Sequence, residues 1–123
     1  MTSNVKKEDY LFGRCHLFAL ICSKITGYDI QLLWDVDYWH DGAEHPSTVL
    51  VHAYVVSPDG VMLDADGLLT VERLQADYEV NEPLTESVSV AELEKMISTN
   101  LLEEFETGEQ ESLAIMVNSS LTL

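Results

Sequence analysis

Cys15, His52, Asp64 and Asp66 have the residue types and the order that nucleophilic chemistry uses. A thiol attacks a carbonyl carbon when three groups meet: an activated sulfur, an imidazole within hydrogen-bond reach, and a group that orients that imidazole. Cys15 opens an apolar run of helical period. In the first turn of a helix the dipole and the unpaired N–H groups favour a thiolate, and Arg14 adds positive charge beside it. His52 and the two aspartates lie on either side of Ser57-Pro58-Asp59-Gly60. Pro58 presets φ for a turn, Asp59 suits the next position, and Gly60 takes a positive φ without a Cβ penalty. That is the chemistry of a hairpin with a glycine bulge.

The turn sets a register. With Pro58, Asp59 and Gly60 as the loop, Ser57 faces Val61, Tyr54 faces Asp64 and His52 faces Asp66. His52, Tyr54, Asp64 and Asp66 then share one face, and Val51, Ala53, Val55, Leu63 and Ala65 share the other. A two-residue loop reverses the parity and carries both aspartates away from His52. Asp66 is directly opposite His52 and Asp64 is diagonal to it, so either acid can orient the imidazole.

The elements that must position these residues follow from periodicity. Tyr10, Leu11 and Phe12 anchor a polar lead-in. A helix from Gly13 to Thr26 ends at Gly27, a natural C-cap. Its buried stripe is Cys15, Phe18, Ile21, Cys22 and Ile25. Tyr28 to Trp34 reads as a strand, and Asp35 to Thr48, rich in Asp, Gly, His and aromatics, as a long loop at the rim of a site. After the hairpin, Thr70 caps a short helix from Val71 to about Tyr78. Glu79 to Glu86 reads as a surface connection. Ser89 and Glu92 form a capping box for a helix over 90–106, striped by Leu93, Met96, Ile97, Leu101 and Phe105. Its solvent side carries Glu94, Glu103, Glu104 and Glu106. Ser112 to Val117 reads as a last strand, which the tail extends or leaves to fray. The expectation is a single α+β domain over 1–123, an N-terminal helix packed on a small antiparallel sheet.

Composition narrows the function classes. There are 22 acidic residues against 6 basic ones, a net charge of −16. Between Lys24 and Lys95 the only lysine or arginine is Arg73. Such a field repels nucleic acid and acidic membranes, which argues against direct binding of either and for a basic protein partner or mere solubility. No stretch has the 18 or so apolar residues of a membrane span, and the first residues carry no signal-peptide core, so a cytoplasmic protein is expected. Cys15 and Cys22 lie two helical turns apart, about 10.5 Å of rise, too far for a disulfide.

Other candidates are weaker. His16 points about 100° away from Cys15 on the helix and is expected at a surface or rim. His40 and His45, with Asp35, Asp37, Asp41 and Glu44, match no zinc spacing and read as solvated loop, so no metal or cofactor is expected. Zinc-deaminase and phosphate-loop patterns are absent. Tyr38, Trp39 and Tyr54 are the candidate substrate-binding aromatics. Cys15 also has an ordinary reading as a small core residue, and His52 as a structural histidine satisfied by Asp66.

Gly13-Arg14-Cys15-His16 followed by an apolar helix resembles the nucleophile helix of the compact papain-like superfamily typified by NlpC/P60 peptidases. The chain is also similar, over residues 13 to about 70, to short bacterial and phage proteins with a G-x-C-H helix and an H…PDG…LDA-x-G hairpin. NlpC/P60 enzymes usually carry Asp before the cysteine and Ser-Gly after it, where this chain has Arg14 and His16-Leu17. The resemblance implies Cys15 as nucleophile, His52 as base and Asp64 or Asp66 as orienting group. The activity it implies is a thiol-dependent hydrolase or acyl-transferase on an amide, peptide or isopeptide bond. The competing expectation is a non-catalytic acidic binding protein, such as a phage-type inhibitor of a host defence or nucleic-acid-binding complex.

Overall fold

The computed structural model describes Tyr10, residues 14–99, Leu102 and residues 104–121. Leu11, Phe12, Gly13, Leu101, Glu103 and the last two residues of the tail lie outside the described residues. Helix α1 (Cys15–Thr26) leads into β1 (Asp29–Tyr38) and β2 (Ser47–Val56). Next come β3 (Met62–Asp64), β4 (Gly67–Leu69) and α2 (Val71–Asp77). The chain closes with β5 (Pro83–Val88), α3 (Val90–Ser98) and α4 (Glu109–Leu121). The five strands form one antiparallel sheet in the order β4-β3-β2-β1-β5. This is an α+β fold.

Helix α1 is the centre of the molecule. It packs on β1 and β2, and α3 and α4 pack on it in turn. Residues 15–23 are consequently buried on every side, His16 included. The surface position expected for His16 is therefore wrong: a helix covered on all faces has no rim for it to occupy. Ile25, expected in the stripe, is 39% exposed. Gly27 takes φ +78° and closes the helix with its N–H donated to Ser23 O at 2.7 Å.

The hairpin register is the expected one. Val55 pairs with Leu63, Val56 with Met62, and Ser57 N–H donates to Val61 O at 2.9 Å. Gly60 supplies the positive φ. Two details differ. Pairing of Leu33 with His52 and of Trp34 with Leu50 leaves Val51 as an extra residue, a bulge. The bulge turns Val51 toward Leu33, Tyr54 and Leu69 instead of the Ala53 and Val55 face. The second strand also ends at Asp64, where Ala65 and Asp66 form a turn that returns the chain as β4.

Three segments depart further from the sequence reading. Much of the expected loop 35–48 is strand, extending β1 and β2 to a tip at residues 39–46. The acidic connection holds β5, an edge strand paired along β1, where Pro83 sits at the first position and costs little. Ser112–Val117 lies inside α4: Leu113 and Val117, four apart, are its buried contacts with the core. A six-residue apolar run does not by itself distinguish strand from helix, and packing on α1 decided it. Helix α3 starts at the Ser89–Glu92 capping box and stops at Ser98, short of 106.

Arg14 is tied to the far end of the chain. Its guanidinium donates to the Glu109 carboxylate and to Glu104 O (3.0 Å), and Tyr10 Oη donates to Glu109 at 2.6 Å. Burial alone raises the Glu109 pKa, but Arg14, Tyr10 and the Glu106 N–H outweigh it and hold it below the usual range.

Candidate active site

His52 on β2 and Asp64 at the end of β3 form one buried pair, and helix α1 brings Cys15 against the next residue of β2, Ala53, without a hydrogen bond to His52; all three are at most 3% exposed. His52 Nε2 lies 2.9 Å from Asp64 Oδ2. The other carboxylate oxygen accepts from Arg73 Nη2 at 2.6 Å and from the Asp66 N–H at 2.9 Å. Burial pushes the Asp64 pKa up; the bonds from His52, Arg73 and Asp66 push harder, and it ends below the carboxylate range. An ionised Asp64 accepts only, so His52 Nε2 carries a proton, and in the neutral imidazole Nδ1 then holds the lone pair. That Nδ1 is buried and has no hydrogen-bond partner among the described residues.

The structure thus selects Asp64 over Asp66. Because the chain turns at Ala65–Asp66, Asp66 leaves β2 before reaching His52. It is exposed and faces Arg73, 3.7 Å away.

Cys15 Sγ accepts a hydrogen bond from the Ala53 N–H at 3.2 Å, on the residue that follows His52. The sulfur thus meets β2 where β3, ending at Asp64, no longer pairs with it. The expected activation by helix dipole and Arg14 is not what governs the thiol. Burial pushes Cys15 up to about 11, with the Ala53 and His16 N–H groups pulling partly back and Asp64 adding to the rise. Cys22 is likewise raised by burial to about 11. Both thiols are free and buried.

Two residues complete the cluster that sequence reasoning did not single out. Arg73, from α2, anchors Asp64 and also approaches Asp77 at 3.8 Å. Its signal was its isolation as the one basic residue in a long acidic stretch. Tyr78 stacks on His52, ring centroids 4.5 Å apart. Burial raises its hydroxyl pKa, and negative charge at Asp64 and Cys15 acts in the same direction, so both lie within electrostatic reach. Thr70 Oγ1 accepts from the Arg73 N–H and starts the helix that carries Arg73 and leads to Tyr78.

The expected aromatic contacts fall elsewhere. Tyr38, five residues along β1 from the cross-strand partner of His52, or about 17 Å, and Trp39, one residue further, are exposed at the β1–β2 tip. Tyr54 is on the His52 face but buried, its hydroxyl donating to Gln31 at 3.1 Å. His40 and His45 are exposed, and no group of three or more His, Cys, Asp or Glu among the described residues is arranged to hold a metal.

No family model, curated protein or solved structure matches this chain. Its chemistry therefore has to be read from the cluster and its surroundings. Beyond Tyr78 lies a cleft of about 610 Å³, floored by Leu33, Leu74 and Val80 and bounded by Pro83 and Thr85. Leu33 is the cross-strand partner of His52, so Tyr78 is at once a wall of this cleft and the cover of the imidazole. The cleft wall is held by Asp35, expected in a loop but 2% exposed within β1. Its carboxylate accepts from the N–H groups of Asn81, Asp37 and Glu82 at 2.9–3.1 Å, which lower its pKa against burial.

Proposed function

We propose that the chain is a thiol-dependent hydrolase or acyl-transferase of compact papain-like type, with its site in a closed state. The observation that carries this reading is His52. Its Nε2 is fixed by Asp64, and its Nδ1, which bears the lone pair in the neutral imidazole, has no hydrogen-bond partner among the described residues. A structural histidine in a dry core is usually satisfied at both nitrogens, and an unmet one costs about 1–3 kcal/mol. A base waiting for a thiol proton needs that lone pair.

In the reaction the Cys15 S–H proton passes to Nδ1, and the sulfur forms a bond to the carbonyl carbon of an amide. Collapse of the tetrahedral intermediate breaks the C–N bond, and Nδ1–H protonates the departing amine. Water, or an acceptor amine, then attacks the thioester with His52 again as base and restores the thiol. Asp64, held ionised by Arg73, stabilises the imidazolium throughout. Access requires Tyr78 to swing away from His52 and Cys15 Sγ to leave the Ala53 N–H.

The burial of Cys15 and its raised pKa favour a second reading, a non-catalytic acidic binding protein whose Cys–His–Asp cluster is structural. Iodoacetamide labelling near neutral pH, read by mass spectrometry, separates the two. Tyr78→Ala is expected to speed labelling of Cys15 at least tenfold over Cys22 in the same molecule, and His52→Ala to cancel that gain. Equal, slow labelling of both cysteines in all three proteins would leave only the binding reading.

A further inference from the structure

We infer that the cleft between α2 and β5 binds an extended basic peptide by one apolar side chain, with its lysines or arginines on the acidic rim. This deepens the functional reading above by naming the substrate class of the same site, and rests on it.

The floor of the cleft is apolar: Leu33, Leu74 and Val80, with Pro83 at the side. A site of this shape takes a hydrophobic side chain. Its rim has one sign of charge. Glu79 lines it, and Glu72 and Glu82 are exposed nearby in the chain, on α2 and just before β5. Arg73, the one basic side chain near it among the described residues, is turned inward to Asp64 and to Leu68 O and balanced by Asp66 and Asp77. A cationic peptide meets the Glu79 carboxylate at the cleft itself, with Glu72 and Glu82 exposed in the adjoining segments.

The extended form follows from β5. It is the edge of the sheet, pairs with β1 alone among the described strands, and places Thr85 on the cleft. A segment added to such an edge presents alternate side chains to one face. An apolar residue then enters the cleft beside Tyr78, and the flanking cations remain over the rim. Tyr78, pressed between that residue and His52, is the group such a peptide would displace to uncover the imidazole.

The probe is a fluorescein-labelled hexapeptide alternating lysine and leucine, titrated by anisotropy into the full chain at about 50 and 300 mM salt. Binding is expected to weaken severalfold at the higher salt, and at least tenfold when alanine replaces leucine in the probe. Glu79→Lys with Glu82→Lys, both exposed and safe for folding, should weaken it at least tenfold. Glu104→Lys with Glu111→Lys, the same charge change on the α4 side, should weaken it no more than threefold. Leu74→Arg should abolish binding. Equal loss from the two charge-reversed pairs, or indifference to Leu74→Arg in a folded protein, would overturn the proposal and leave general attraction to an acidic surface. The mass of the probe after incubation reads cleavage separately: binding without cleavage refutes the hydrolase reading and supports the cleft.

Discussion

Arg73→Met tests the core of the site most directly. Methionine keeps much of the aliphatic stem and removes the guanidinium, leaving Asp64 buried with His52 and the Asp66 N–H as partners. Breaking a fully buried ion pair costs about 3–5 kcal/mol. The Arg73 side chain is 21% exposed while that of Asp64 is fully buried, which places the expected loss near the lower bound, about 2–3 kcal/mol at pH 7. For a domain of this size that is a fall in Tm of roughly 10 °C. The sign with pH is fixed by Asp64, whose folded pKa is depressed. Its contribution is complete above the unfolded value of about 3.9 and is lost as pH falls through the lower folded value. Urea unfolding at a series of pH values should therefore show the two proteins converging below about pH 4. In an Asp64→Asn background the same substitution should cost less than about 1 kcal/mol. A difference that persists unchanged into acid, or an equal cost in both backgrounds, would refute the role given to Arg73.

Two further outcomes follow from groups at the N-terminal end of α1. Burial holds Cys15 at about 11 in the folded chain against 9.0 for an ordinary exposed thiol, so its share of stability is complete below 9 and lost as pH rises through 11. Between neutrality and pH 10 this amounts to about 1.4 kcal/mol, and Cys15→Ala should flatten the fall in urea midpoint by that much; an unchanged slope would contradict the burial argument. Glu109→Gln should cost about 1–2 kcal/mol at pH 7 by weakening the bonds from Arg14 and Tyr10. Since the folded Glu109 pKa is depressed, that deficit should vanish as pH drops below about 4.3; a deficit independent of pH would mean that charge plays no part.

Local chemistry alone determined a good deal of this protein. The Pro58-Asp59-Gly60 turn dictates its own register, and with it the pairing of Val55 with Leu63 that brings Asp64 within reach of His52. Gly27, Thr70 and the Ser89–Glu92 box mark helix ends because each satisfies backbone groups within a few residues of itself. Tertiary structure decided the rest, wherever the outcome depends on partners remote in the chain. Ser112–Val117 is helical because α1 offers Leu113 and Val117 a surface four residues apart, and 83–88 is a strand because β1 has an edge to pair. Asp35 is buried because the N–H groups of residues 81 and 82 arrive from across the sequence. The site divides along the same line. The residue types and order of Cys15, His52 and Asp64 are visible in the chain. The Arg73 anchor, the Tyr78 cover and the burial that raises the thiol pKa come from α2 folding over the sheet and from α1 being enclosed, and no local spacing encodes either.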